Sequence, residues 1–479
     1  MSIAGPLANS FPQHASWSVR CATLRSLCYA RASALAAAAR IPALGVETVR
    51  RWTGSSDVAL SEAALAALAW TDRPADALPE LLAHAGGDRA RVAVYAATRA
   101  SRYAKPSELG ELLGGVLAPG AAKVTSRKEA VRLAATRLPL PEAAGLLADA
   151  HARTDQHRDV RAACVAFAAP LLRDERTWQL LNDAASGDTA ARTAVLRVVP
   201  MDLPGPDRPR YARLVRDVCA TGDRELATLA YAALARWVPW SPDASAVLVA
   251  AITELADRQS WYAAADGLAS AAASGPEAGR AVERALQVLI TAEEQPVTAE
   301  ERETADAGAD RDRPARRRIE YLVTRLSRQT VSRPRTVRPV LTAAAELLAG
   351  HDAFVPQAAT LLVESLDLEA APAALYAAFA RLVRLHEGRP ALVVRTTDAL
   401  DRRLGGTDRP GDPGTLLAAA RRLTEAGGRT EGLLAVTLTS AGGGRTSWTG
   451  PWRAQLRTLR RHADADVRDA ALGSVTAYE

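Results

Sequence analysis

The chain of 479 residues is poor in lysine, asparagine, methionine, cysteine and aromatic side chains. Lysine occurs only at Lys105, Lys123 and Lys128, so nearly all of the 60 basic residues are arginine. Asparagine occurs only at Asn9 and Asn182. A vocabulary dominated by Ala, Arg, Gly and Leu reflects the base composition of the coding sequence first, which discounts any argument from arginine number alone. Against 54 acidic residues the formal charge is +6. That is a small excess for this length, and it permits an acidic partner without requiring one.

The four cysteines, Cys21, Cys28, Cys164 and Cys219, form no CxxC pair and no disulfide framework. They read as reduced, buried thiols of a cytoplasmic protein, with Cys21 and Cys28 on one helix face. The longest apolar run, around Ala32–Ala39, is too short to span a bilayer. The first residues lack the basic start and apolar core of a signal peptide. A soluble protein is expected.

Catalytic spacings are missing as well. There is no HExxH, no GxSxG, no Gly-Lys dipeptide for a P-loop and no alternating-carboxylate calcium loop. Gly442-Gly443-Gly444-Arg445-Thr446 is only a faint echo of a phosphate loop, and the stretch reads as a connection before the last repeat. His151 and His157 are six apart, hence on different sides of a helix, and read as surface residues. No catalytic residue, metal ligand or cofactor is expected. A site assembled from distant residues would leave no local motif.

What is present is self-similarity. An aliphatic residue, often followed by Arg, has Ala about three positions later. The pattern appears at Val19-Arg20-Cys21-Ala22, Leu60-Ser61-Glu62-Ala63, Ala90-Arg91-Val92-Ala93 and Val131-Arg132-Leu133-Ala134. It returns at Val160-Arg161-Ala162-Ala163, Ala191-Arg192-Thr193-Ala194, weakly at Leu226–Ala230, and finally at Val467-Arg468-Asp469-Ala470. The first seven starts are spaced by roughly 30 to 40 residues, the period of a two-helix unit. Asp57, Asp188, Asp223 and Asp464 each stand three residues before the aliphatic, where a carboxylate caps a new helix. Pro74, Pro106, Pro139, Pro141 and Pro239 mark breaks, and Gly86-Gly87, Gly187 and Gly222 end second helices, where a left-handed cap favours glycine.

These copies resemble the HEAT-repeat family in its bacterial HEAT-like form. The resemblance covers about residues 15–290 and the last stretch of the chain. It implies an all-α fold, an α-solenoid or superhelix of antiparallel helix pairs. It also implies that Asp57, Asp188 and Asp223 with Arg91, Arg132, Arg161 and Arg192 form a structural ladder between repeats, and that the alanines mark close helix approaches. Between about 291 and 450 the chain reads as helical without a clean signature. Residues 292–313 are acidic, Ala-rich and nearly free of large apolar side chains. The expected organisation is therefore an array over 1–291, an acidic flexible linker over 292–313, and degenerate repeats over 314–479.

Two features are candidate binding surface. In a helix over 315–329, Ile319, Leu322, Val323 and Leu326 are expected on one side. Arg317, Arg318, Tyr321, Arg325 and Arg328 are expected on the other, with Arg333, Arg335 and Arg338 beyond. Such a face contacts phosphates and stacks on a base, or is simply solvated. Trp237 and Trp240 flank Val238-Pro239 at a turn, and Trp448 and Trp452 flank a Gly-Pro; turn aromatics anchor interfaces or plug gaps between repeats.

Repeats that cannot bury their own apolar faces must stack, and stacking produces a long surface suited to an extended partner. The expected function is a non-catalytic scaffold or adaptor for a protein. The alternatives are a nucleic-acid-binding protein resembling the HEAT-like DNA-repair proteins, and a regulatory module working with a separately encoded NTPase or kinase. A HEAT-like lyase ranks last, since no acid/base pair supports it.

Overall fold

The computed structural model describes residues 45–295 and 313–476, apart from 242, 333 and 407–410. The first signature copy at Val19, Cys21, Cys28, most of the acidic stretch (296–312) and Arg333 lie outside the described residues. The described chain is helical throughout its regular structure and divides into two compact units, Met1–Thr221 and Gly222–Glu479.

In the first unit the helices are α1 (Val46–Arg50), α2 (Val58–Leu68), α3 (Leu78–Ala83), α4 (Ala90–Ala100), α5 (Pro106–Leu117) and α6 (Val124–Arg137). They continue as α7 (Leu140–Ala152), α8 (Arg158–Ala166), α9 (Glu175–Ser186), α10 (Thr189–Arg197) and α11 (Arg208–Ala220). From α2 on, each helix packs on the next but one within the unit, and most also pack on their successor. The chain α2–α4–α6–α8–α10 makes one layer and α3–α5–α7–α9–α11 the other. This two-layer ladder, with neighbours supplied only by adjacent repeats, is an α-solenoid.

The second unit repeats the scheme. Its helices are α12 (Ala227–Trp237), α13 (Ala244–Thr253), α14 (Trp261–Ala271), α15 (Pro276–Glu294), α16 (Pro314–Ser332), α17 (Pro334–Ala349) and α18 (Val355–Ser365). They are followed by α19 (Pro372–Leu385), α20 (Pro390–Gly406), α21 (Pro413–Ala426), α22 (Arg429–Arg445), α23 (Gly450–Leu459) and α24 (Ala465–Leu472). Here α12–α14–α16–α18–α20–α22–α24 form one continuous layer.

The local causes are those the signature suggests. Asp57, Asp188 and Asp464 are N-caps whose carboxylates accept from Leu60, Ala191 and Val467 amides at 2.9, 2.9 and 3.3 Å. Asp223 accepts from Glu225 N at 3.0 Å, in the turn before α12. Proline occupies the first turn of α5, α7 and α23, where no amide is needed. Signature alanines Ala93, Ala134, Ala163, Ala194 and Ala230 are buried between helices. Gly222 takes the left-handed conformation (φ 68°). Gly87 and Gly187 end their helices in extended backbone instead (φ −86° and −79°), so those two need no positive φ.

The expected loop at Gly442–Gly444 is instead the last turn of α22. Glycines are tolerated there because bulk is forbidden. A Cβ on Gly442 would run into the Trp452 ring, and one on Gly443 would meet the Trp448 ring at 2.5 Å. Ser447 and Trp448 adopt positive φ (52° and 53°), which turns the chain so that both indoles lie against the helix backbone. Trp448 and Trp452 are accordingly buried. Cys164 and Cys219 are free and buried, and burial pushes both thiols up to about 12, leaving them protonated and inert. Among the described residues no helix is long and apolar enough to cross a membrane.

Candidate functional site: the α14–α16–α18–α20 face

The arginine-rich helix is α16, packed between α14 and α18. Its apolar stripe is buried as expected: Ile319, Leu322, Val323 and Leu326. Arg318 is not on the exposed side. It is 1% exposed, and its guanidinium donates to the backbone carbonyls of Ile252 and Glu254 at 2.6 and 2.8 Å, Leu255 at 3.3 Å, and Asp257. Those carbonyls belong to the C-terminal end of α13 and the turn after it, which a fixed cation neutralises. Burial lowers the Arg318 pKa from its ordinary value, opposed by the carboxylates of Asp257 and Glu254. The spacing carries the signal for this placement, since 318, 322 and 326 share one helical stripe.

Tyr321 and Arg325 face α14. The Tyr321 hydroxyl donates to Asp266 Oδ1 at 2.9 Å and Arg325 donates to Asp266 Oδ2 at 2.8 Å. The Tyr321 ring stands edge-on to Trp261 and Tyr262, at 5.3 and 4.9 Å between centroids. Burial and the Asp266 carboxylate raise the Tyr321 pKa. Arg317 is exposed, with its guanidinium 5.8 Å from the Tyr262 ring; Arg328 and Arg335 are exposed as well. Arg338 pairs with Asp367 at 2.6 Å. The single arginine face is thus divided: one member is internal, two are held by carboxylates, Asp266 of α14 and Asp367 in the connection after α18, and Arg317, Arg328 and Arg335 face solvent. Trp237 is fully buried, and its ring meets half-buried Trp240 edge-on at 6.1 Å, so this pair fills space between helices.

Beside this helix, α16, α18 and α20 enclose a groove of about 370 Å³. Its polar lining is Glu320 on α16, Gln357 and Thr360 on α18, and Arg395, Asp398 and Arg402 on α20. Gln357 donates to Glu320 Oε1 at 3.3 Å across the first two helices. Arg395 and Arg402 are exposed and seven residues apart, so they stand on one side of α20. No motif announces this groove, because its lining comes from three helices far apart in the chain.

The histidines do not converge. His157 caps α8, its Nδ1 accepting from Asp159 N at 3.1 Å, while His151 sits half-buried near the end of α7. His386 is buried, with ring nitrogens 2.6 Å from Leu382 O and 2.8 Å from Thr396 Oγ1. Among the described residues no group of three His, Cys, Asp or Glu is placed to hold a metal ion.

The expected ladder is present in part: one Asp–Arg rung forms, whereas Arg91 is exposed. Arg161 of α8 reaches Asp188, the cap of α10, at 2.6 Å. Arg192 reaches Thr221 Oγ1 at 3.3 Å, and Arg132 is held by Glu129 within its own helix while facing Thr98 of α4 at 3.4 Å. The same rung recurs in the degenerate half as Arg338–Asp367 and Arg429–Asp466. The described chain is an α-solenoid of paired helices. No protein-family model matches it, and no curated protein does. Solved structures similar to it include Kap121p bound to Pho4p (14% identity, 89% of this chain and 48% of that one, TM-score 0.37). Importin beta in a polyethylene glycol condition is another (14% identity, 96% and 57%, TM-score 0.28), as is SYS-1 (11% identity, 97% and 88%, TM-score 0.26). The chain spans about half the length of the first two.

Proposed function

We propose that this chain is a non-catalytic scaffold that binds a protein partner, and that the groove across α16, α18 and α20 is a principal contact. The observation that carries the reading is the groove itself: three successive helices of one layer leave a polar, open channel of about 370 Å³. A channel lined by Glu320, Gln357, Arg395 and Arg402 offers both charge signs and amide hydrogen bonds. That lining suits a polypeptide of mixed polarity better than a uniformly anionic strand.

The test is affinity capture from the source cell with the full chain, run with and without nuclease, in parallel with R395E/R402E. A partner retained after nuclease and lost in the double variant supports the scaffold reading. A partner lost on nuclease treatment, with gel shifts that weaken as salt rises and vanish in R317A/R328A/R335A, would support nucleic-acid binding instead.

A further inference from the structure

The two helix layers of the first unit differ in charge. The helices α2, α4, α6, α8 and α10 hold ten Arg and Lys against three acids, Glu62, Glu129 and Asp159. The helices α3, α5, α7, α9 and α11 hold eight acids against five arginines, four of them on α11. A compositional excess of arginine raises both layers alike, so it does not produce this division. The second unit does not divide in this way. There α16, with five arginines, and α23, with two, stand in opposite layers.

Much of the basic layer is accounted for internally. Arg132 and Arg161 are paired with Glu129 and Asp188. Arg99, Arg137 and Arg197 stand in the last turns of their helices, where cations answer the helix dipole, and Arg99 also stacks on Trp70. Arg127 is buried against Gln156 and Arg192 reaches Thr221. That leaves one exposed cation on each of three successive helices, Arg91, Lys128 and Arg158, the last also 3.9 Å from Asp159. Beside them Tyr95, one turn from Arg91, is 67% exposed, and Val58 at the start of α2 is 58% exposed. Exposed aromatic and aliphatic side chains among cations are the composition of a protein-binding patch.

We propose that this layer of the first unit docks an acidic helix whose carboxylates recur once per heptad. Neighbouring helices lie about 8–10 Å apart. Seven residues of a bound α-helix advance about 10 Å. An Asp or Glu at i, i+7 and i+14 therefore meets Arg91, Lys128 and Arg158 in turn, with apolar residues between them on Tyr95 and Val58. A nucleic-acid strand carries a charge about every 3.4 Å of rise, so most of its phosphates would meet no cation and some would face Glu129 and Asp159. This docking face is independent of the groove in the second unit.

The experiment uses the full chain and a labelled helical peptide of about three heptads, with one Glu per heptad on one face. An isomer of the same composition with its Glu residues clustered, and a single-stranded oligodeoxynucleotide of matched charge, serve as comparison probes. Fluorescence anisotropy reads affinity. R91E/K128E/R158E is expected to weaken the heptad peptide about tenfold or more, R91Q/K128Q/R158Q by less, and both variants are checked for native helicity. R317E/R328E/R335E, with the same charge change in the second unit, is expected to leave that affinity within about twofold. Equal losses in the two reversed triples would reduce the effect to net charge and overturn the proposal. So would an isomer that binds as well as the heptad peptide. Tighter binding of the oligonucleotide, lost in the first triple, would reassign the face to nucleic acid.

Discussion

Arg161 and Asp188 join two consecutive repeats through one carboxylate. Its Oδ2 accepts from the Arg161 guanidinium at 2.6 Å, and its Oδ1 accepts from the Ala191 amide at 2.9 Å. One side chain therefore starts α10 and fastens it to α8. Removing it affects local and tertiary structure together.

Asp188→Ala is expected to destabilise the first unit by about 1–2 kcal/mol, the size of a lost N-cap. Asp188→Asn keeps the cap and loses only the partly exposed ion pair, a smaller cost of at most about 1 kcal/mol. Denaturant melts of the two variants separate the contributions. Equal losses would show that the cap contributes nothing.

Arg318 is the second unit's internal clamp, and it satisfies carbonyls that have no other role in the helix ladder. Arg318→Met is expected to cost at least about 2 kcal/mol, because hydrogen bonds to a charged donor are lost and the carbonyls stay buried. Hydrogen exchange should rise in the turn over 252–260. Arg318→Lys should restore part of the stability, since a lysine reaches fewer carbonyls at once. An unchanged midpoint for the Met variant would refute this assignment.

The three glycines at the end of α22 should respond in opposite directions. Gly442→Ala and Gly443→Ala drive a Cβ into an indole and are expected to destabilise by about 1–3 kcal/mol, with a change in tryptophan emission. Gly444 has nothing within 4 Å of its Cβ position. Gly444→Ala should therefore be neutral or stabilise by up to about 1 kcal/mol. Thermal melts of the three single variants decide it.

His386 supplies a pH dependence. Burial lowers its pKa, opposed by backbone hydrogen bonds at Leu382 and Leu392. The unfolded chain takes up this proton near pH 6.5 while the folded chain resists it until lower pH. Stability from this site is thus complete above about pH 6.5 and falls on acidification. His386→Gln should flatten the acid side of the melting-temperature profile, and an unaltered slope would contradict the account.

The repeat period, the aspartate caps and the apolar stripe of α16 are legible in the sequence because each depends on residues within one or two helical turns. Arg318 reads as surface when it is grouped with the other arginines of its helix, although its register with Leu322 and Leu326 puts it inside. Gly442–Gly444 read as a loop because the reason for them, two indoles lying on the helix, comes from residues in the following turn and helix. The Arg338–Asp367 rung sits in Val337-Arg338-Pro339-Val340, where Val340 replaces the expected Ala and conceals the signature. The groove left no trace, since its lining is scattered over about 80 residues of chain.

By itself, the sequence determined that the chain folds into paired helices in repeating units, since helix periodicity, capping and small-residue spacing are local properties that survive without a partner. Only the tertiary structure decided which arginines are rungs, which is a clamp and which are left for solvent. A guanidinium reaches several ångströms, and whether it meets a carbonyl, a carboxylate or water depends on which helix the stack sets beside it.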